Sequence, residues 1–139
     1  MNKNILTLGG EKMDFLIECD FVKKCIKKDY QERIMFELQS KKHREKAIAR
    51  FSHFPEIIVK DLFAKCTIND LNNYFGKINS TEKCYIISGN LYDGEEILLK
   101  DAIQYFKESF MTVILITSKY AVIKEEVETG SPIVWIGNL

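Results

Sequence analysis

A chain of 139 residues fits one domain, and a domain of that size buries roughly two thirds of its unfolded surface, enough for a core without disulfide or metal staples. With 46% apolar, 12% aromatic and 29% charged residues, the composition argues against intrinsic disorder, collagen-like repeats and a coiled rod. Twenty Lys/Arg balance twenty Asp/Glu, so no global field points to nucleic acid or an anionic membrane.

The first ten residues hold only a short apolar stretch before the acids Glu11 and Asp14, a pattern unlike a signal peptide. The longest apolar run, Val113 to Ile116, is far below the roughly 18 residues of a spanning helix. The expectation is a cytoplasmic protein with no membrane partner. Cys19, Cys25, Cys66 and Cys84 form no C-x-x-C pair, and no histidine stands at zinc-ligand spacing, so they read as reduced core thiols with no metal.

Apolar residues recur at helical steps in the first half: Phe15, Leu16, Cys19, Val22 and Ile26, then Tyr30, Ile34 and Leu38. Ser40 is placed to cap a further helix carrying Ala47, Ile48 and Phe51 that ends near Pro55, which gives three helices or one long broken helix. Lys23, Lys24, Lys27 and Lys28 alternate with Phe21, Val22, Cys25 and Ile26 as the polar side of an amphipathic helix. No RNA-binding aromatic motif accompanies these lysines, so nucleic acid is not an expected partner. Ile57–Val59 and Leu62–Phe63 are too short to separate strand from helix. Thr67-Ile68-Asn69-Asp70 has the spacing of a capping box, followed by a short helix with Leu71, Tyr74 and Phe75 buried and Gly76 as its stop.

The second half changes period. Cys84–Ser88 reads as a strand, Glu95–Ser109 as a helix burying Leu98, Leu99, Ala102, Ile103 and Phe106, and Met111–Thr117 as a central strand. Tyr120–Val127 and Ile133–Ile136 complete a β-α-β-β-β order, with Ser118-Lys119 as a tight hairpin and residues 129–132 as the next turn. If the first two strands share a sheet through a helical crossover, that crossover is right-handed. The fold class is α+β, or α/β, with a helical N-terminal half packed on a mixed sheet of about four strands in a single domain spanning residues 1–139.

No constellation reaches a catalytic signature. Gly9-Gly10-Glu11-Lys12 and the loop Ser88–Gly94 match neither a P-loop nor a dinucleotide fingerprint, and no cofactor is expected. In that loop Asp93 is positioned to cap the following helix with Glu96, and the competing reading is a ligand loop built on Ser88, Asn90 and Asp93. Ser52, Ser88 and Cys84 are available nucleophiles, but no G-x-S-x-G elbow surrounds them. Trp135 sits in an apolar strand and reads as core or interface.

Charge is segregated although the sum is zero. Residues 1–50 hold twelve Lys/Arg against eight acids and residues 51–139 hold eight against twelve, which gives +4 and −4. Lys41, Lys42, His43, Arg44, Arg50 and His53 gather around one helix, with Glu37, Glu45 and Glu56 as available partners. As an exposed basic cluster they would steer an acidic partner, and charge reversal at Arg44 and Arg50 would leave folding nearly intact. The acidic stretch Lys124-Glu125-Glu126-Val127-Glu128 is the alternative face, suited to a basic partner. The functional expectation is therefore a non-enzymatic protein-binding module, bacterial immunity proteins that neutralise toxin domains being one such class. The alternative is a small-ligand-binding or hydrolytic domain using the Ser88–Gly94 loop.

Overall fold

The computed structural model describes residues 5–6, 13–52, 56–75, 81–126 and 132–139. The fold is α+β. A two-residue ladder joins β1 (Ile5–Leu6) to β2 (Met13–Asp14), and three helices follow: α1 (Phe15–Cys25), α2 (Lys28–Gln39) and α3 (Arg44–Ala49). Asp14 caps α1, its carboxylate accepting from the amides of Leu16 and Ile17. α1 and α2 are separate helices because Ile26 leaves the helical path to bridge Ile58, and the Val59 and Lys27 amides donate to the Cys25 and Ile57 carbonyls. Ser40 does not cap α3. It ends α2, its amide donating to the Glu37 carbonyl, and α3 starts at His43 without a side-chain cap and stops at Ala49, short of Pro55.

The capping box forms as its spacing predicts: Thr67 and Asp70 exchange side-chain and backbone bonds around a 3₁₀ turn that leads into α4 (Leu71–Phe75). Gly76, the expected stop, and Thr129 to Ser131 of the expected turn lie outside the described residues, as do His53, Pro55 and the Gly9-Gly10-Glu11-Lys12 stretch.

The sheet has six strands, in the order β3 (Phe63–Cys66), β8 (Val134–Asn138), β7 (Tyr120–Lys124), β6 (Val113–Ile116), β4 (Lys83–Ser88) and β5 (Glu96–Leu98). Every pairing is antiparallel, so the expected mixed sheet and right-handed crossover are corrected. The cause is β5. The segment read as the first turn of a helix, Glu96–Leu98, instead folds back on β4 with Lys83 opposite Leu98, and α5 (Leu99–Glu108) begins only after the chain has reversed. α5 then carries the chain back along the sheet, and β6 enters beside β4 with Val113 opposite Ser88. Ser118-Lys119 makes the expected hairpin between β6 and β7, closed by the Thr117 amide on the Tyr120 carbonyl at 2.9 Å.

Alternate residues of the central strands enter two separate cores, which is why those strands read as continuous apolar runs. Tyr85, Ile87, Ile114, Ile116, Ile123 and Trp135 pack against α1–α3, and Cys84, Ile86, Val113, Leu115, Val122 and Ile136 pack against α5 and Leu71. Trp135 belongs to the first core, its indole N–H donating to the buried Glu125 carboxylate at 2.7 Å. All four cysteines are unpaired, Cys25 and Cys84 fully buried, and burial pushes both of those thiols up to about 12. Among the described residues no helix is long and apolar enough to cross a membrane.

Candidate functional site

The residues expected to form a basic surface are divided by the fold. Lys41 and Lys42 are exposed in the turn between α2 and α3, and His43 is half-buried with its ring 5.7 Å from that of Phe36. Arg50 makes a bidentate pair with Glu37 at 2.8 and 2.7 Å, and this hydrogen bonding holds the Glu37 carboxyl below the usual range. Arg44 is only 7% exposed. The expectation of an exposed arginine cluster is corrected: two arginines face internal carboxylates, and of the expected basic residues Lys41 and Lys42 are the exposed ones.

Arg44 is the centre of a buried ionic hub that also fixes the neighbouring loop. Its Nη1 and Nη2 donate to Glu18 at 2.8 and 2.6 Å, and its Nε and Nη2 donate to Asp93 at 2.7 and 2.9 Å. The fifth donor goes to the Leu38 carbonyl at 2.9 Å, so the guanidinium is saturated. The Tyr85 hydroxyl donates to the same Glu18 carboxylate at 2.6 Å and accepts from the Asp14 amide. Burial opposes the charge on Arg44, but the bonds to Glu18 and Asp93 outweigh it and raise the pKa. Burial first, and the Glu18 charge second, push the Tyr85 phenol up.

Asp93 therefore does not cap a helix. Its carboxylate ties the loop between β4 and β5 to α3 and accepts from the Ser88 amide at 3.1 Å. The Ser88 hydroxyl is bonded to the Tyr105 hydroxyl at 2.7 Å and to the Asn90 amide at 3.2 Å. Ser88 and Asp93, two of the three residues of the alternative ligand loop, thus already have internal partners. Ser52 is bonded to Thr112 at 3.1 Å, and among the described residues no hydroxyl or thiol of Ser52, Ser88 and Cys84 is hydrogen-bonded to a histidine or carboxylate. No three His, Cys, Asp or Glu side chains among the described residues are gathered as a metal site requires.

What the pinned loop presents to solvent is apolar. Held at φ 66°, an uncommon conformation for a non-glycine residue, Tyr92 stacks edge-on against Tyr105 with centroids 5.0 Å apart, and Leu91 beside it is 58% exposed. α5 ends at the same rim of the sheet, where Phe110 is 79% exposed and Met111 38%. The two loops adjoin: Asn90, Tyr105, Phe110 and Met111 line one cleft, and Met111 also lines a second with Ser52, Gly89 and Thr112. Leu91, Tyr92, Phe110 and Met111 are four of the nine large apolar residues exposed among the described ones. They stand on two adjoining loops, Tyr92 against Tyr105 and Phe110 and Met111 on the cleft that Tyr105 lines. Sequence reasoning missed this rim. Phe110 falls just past the helix expected at Glu95–Ser109, where spacing says nothing of its exposure, and in the structure the helix stops at Glu108 and Phe110 stands in solvent.

The second rim loop is anchored from below by Lys124, which is fully buried and donates through Nζ to the carbonyls of Phe106 and Ser109, with the Phe106 ring 5.3 Å away. These carbonyls lie in the last turn of α5 and at its C-cap, where a cation satisfies them. The acidic face expected at residues 124–128 is corrected accordingly: Lys124 and Glu125 point inward, Glu126 is exposed, and Val127 and Glu128 lie outside the described residues. Burial pushes Lys124 down to about 8 from 10.5. Above pH 8 the unfolded chain therefore binds the extra proton, and this group's contribution to stability rises with pH until about 10.5, by at most about 1.4 kcal/mol per unit. Above pH 9 the raised Cys25 and Cys84 thiols act in the opposite sense, so the readout is a difference. Urea-unfolding free energy of the wild type minus that of Lys124→Met is expected to rise between pH 8 and 10. A flat difference would show Lys124 titrating normally.

No protein-family model, curated protein or solved structure matches the chain.

Proposed function

We propose that this chain is a non-enzymatic protein-binding module, cytoplasmic, whose binding face is the rim formed by Leu91, Tyr92, Phe110 and Met111. One observation carries the reading: four large side chains of interface type stand in solvent on two loops that are tied down by buried charge. Aromatic residues and methionine are enriched at interfaces, and a preorganised loop loses less entropy on binding. The surrounding exposed acids Glu45, Glu108 and Glu126 favour a basic partner over the acidic one suggested by the α3 cations. A basic toxin domain, neutralised as bacterial immunity proteins neutralise theirs, is the partner class with that chemistry. The alternative of a small-ligand or hydrolytic loop at Ser88, Asn90 and Asp93 is less supported, because the Asp93 carboxylate and the Ser88 hydroxyl are already bonded within the protein.

The test is affinity capture with identification of the retained protein, followed by titration of that purified protein against wild type and a Leu91→Ser/Phe110→Ser variant. The expected result is a loss of at least about 30-fold in affinity, the scale of an interface hot spot, with the unfolding midpoint unchanged. Unchanged affinity would overturn the assignment of this face. A thermal shift with a nucleotide, sugar or metal ion would instead favour the ligand loop.

A further inference from the structure

We infer that the cleft beside Met111 receives a lysine or arginine side chain of the bound protein; the inference rests on the protein-binding reading and names what the site recognises. The cleft encloses about 280 Å³ between α3 and the start of β6. Ile48, Ala49, Gly89 and Met111 supply apolar contacts, suited to the aliphatic stem of a long basic side chain. Ser52 and Thr112, both buried, already bond to each other at 3.1 Å and leave only spare lone pairs, so the polar pull of the cleft comes from Glu45 and Glu126, whose exposed carboxylates line the same space.

The charge pattern selects the occupant. Neither Glu45 nor Glu126 makes an ion pair with a described residue, in contrast to Glu18, Glu37 and Asp93, each of which is matched to an arginine. Two carboxylates that pair with no cation among the described residues, lining one cleft, favour a donor-rich cation such as a guanidinium or ammonium. The Glu126 amide is itself fixed, donating to the Ser52 carbonyl at 2.7 Å, so one carboxylate is carried on anchored backbone. Met111 belongs to both this cleft and the exposed rim, which places an inserted cation at the border of the apolar contact. That is the arrangement of a charged anchor beside aromatic contacts. Gly89 keeps the wall in place: a Cβ there would lie 3.2 Å from the Met111 Cε and 3.8 Å from the Ile48 Cγ2.

The experiment needs no knowledge of the partner. N-acetyl-arginine methylamide and N-acetyl-lysine methylamide are titrated into the ¹⁵N-labelled protein, with N-acetyl-norleucine methylamide as the uncharged control. The expected result is saturable shifts of the Ser52, Gly89 and Thr112 amides by a cationic probe, with a dissociation constant on the order of 1 mM for so small a ligand. Glu45→Gln/Glu126→Gln, substitutions at exposed positions, are expected to weaken this at least tenfold at an unchanged unfolding midpoint. Absence of shifts at these amides, equal shifts with the norleucine control, or an unaltered titration in the double variant would each overturn the inference. The two readings fail separately. A rim variant that leaves partner affinity intact removes the rim and not the cation cleft, whereas a silent cleft removes the cleft and not the rim.

Discussion

Replacing Arg44 by methionine is expected to cost about 3–5 kcal/mol of folding stability, out of the roughly 5–15 kcal/mol typical of a domain. The volume is nearly kept, so the loss comes from what remains behind: the Glu18 carboxylate, 2% exposed, facing only the Tyr85 hydroxyl, and Asp93 with no cation. A buried pair is weak evidence of net stability, but removing one partner leaves an unmatched buried charge. Urea unfolding checks the size, and a loss below 1 kcal/mol would mean that water reaches the hub. Glu18→Leu added to Arg44→Met is expected to recover part of the loss, because the orphaned charge is then gone. Arg50→Met is the comparison. Its pair with Glu37 is partly exposed, with the Arg50 side chain at 32%, and its cost is expected to be far smaller. The contrast reverses the surface-like behaviour expected of Arg44 from its place in a run of basic residues.

The second large effect is in the sheet. Ile114→Ala is expected to cost roughly 2–5 kcal/mol, and Ile114→Val only about 0.5–1.5 kcal/mol. Ile114 is fully buried on β6 and stands between Ile87 of β4 and Ile123 of β7, with the α1–α3 core above it. Its neighbours are held by ladders on both sides and cannot collapse into the space. A loss under 1 kcal/mol for the alanine variant would contradict a central position for β6.

These two residues also mark where sequence reading succeeds and where it stops. The apolar run at 113–116, with three β-branched residues, favours a strand covered on both faces, so Ile114 is legible from its neighbours alone. The same holds for α1 and α2, whose apolar residues recur at helical steps, and for the Thr67–Asp70 box and the Ser118-Lys119 hairpin, whose bonds close within three or four residues. In each case the interaction that fixes the structure lies within a few positions along the chain.

Where the deciding partner is remote, spacing misleads. Glu96–Leu98 continues a helical stripe, yet pairing with Lys83–Tyr85 makes it a strand, and that reversal brings β6 antiparallel to β4. Arg44 lies among lysines, yet its carboxylates come from 26 and 49 positions away. Phe110 is a large apolar residue just past α5, yet it stands in solvent, where Lys124 from β7 holds the carbonyls at the helix end. The sequence by itself determined the α+β class, the helical first half, the central strands and the segregation of charge, because periodicity and local hydrogen bonding are short-range quantities. Strand direction, the burial of particular charges and the exposure of particular aromatic residues came from long-range packing, because each depends on pairing or desolvation by residues that chain order does not place nearby.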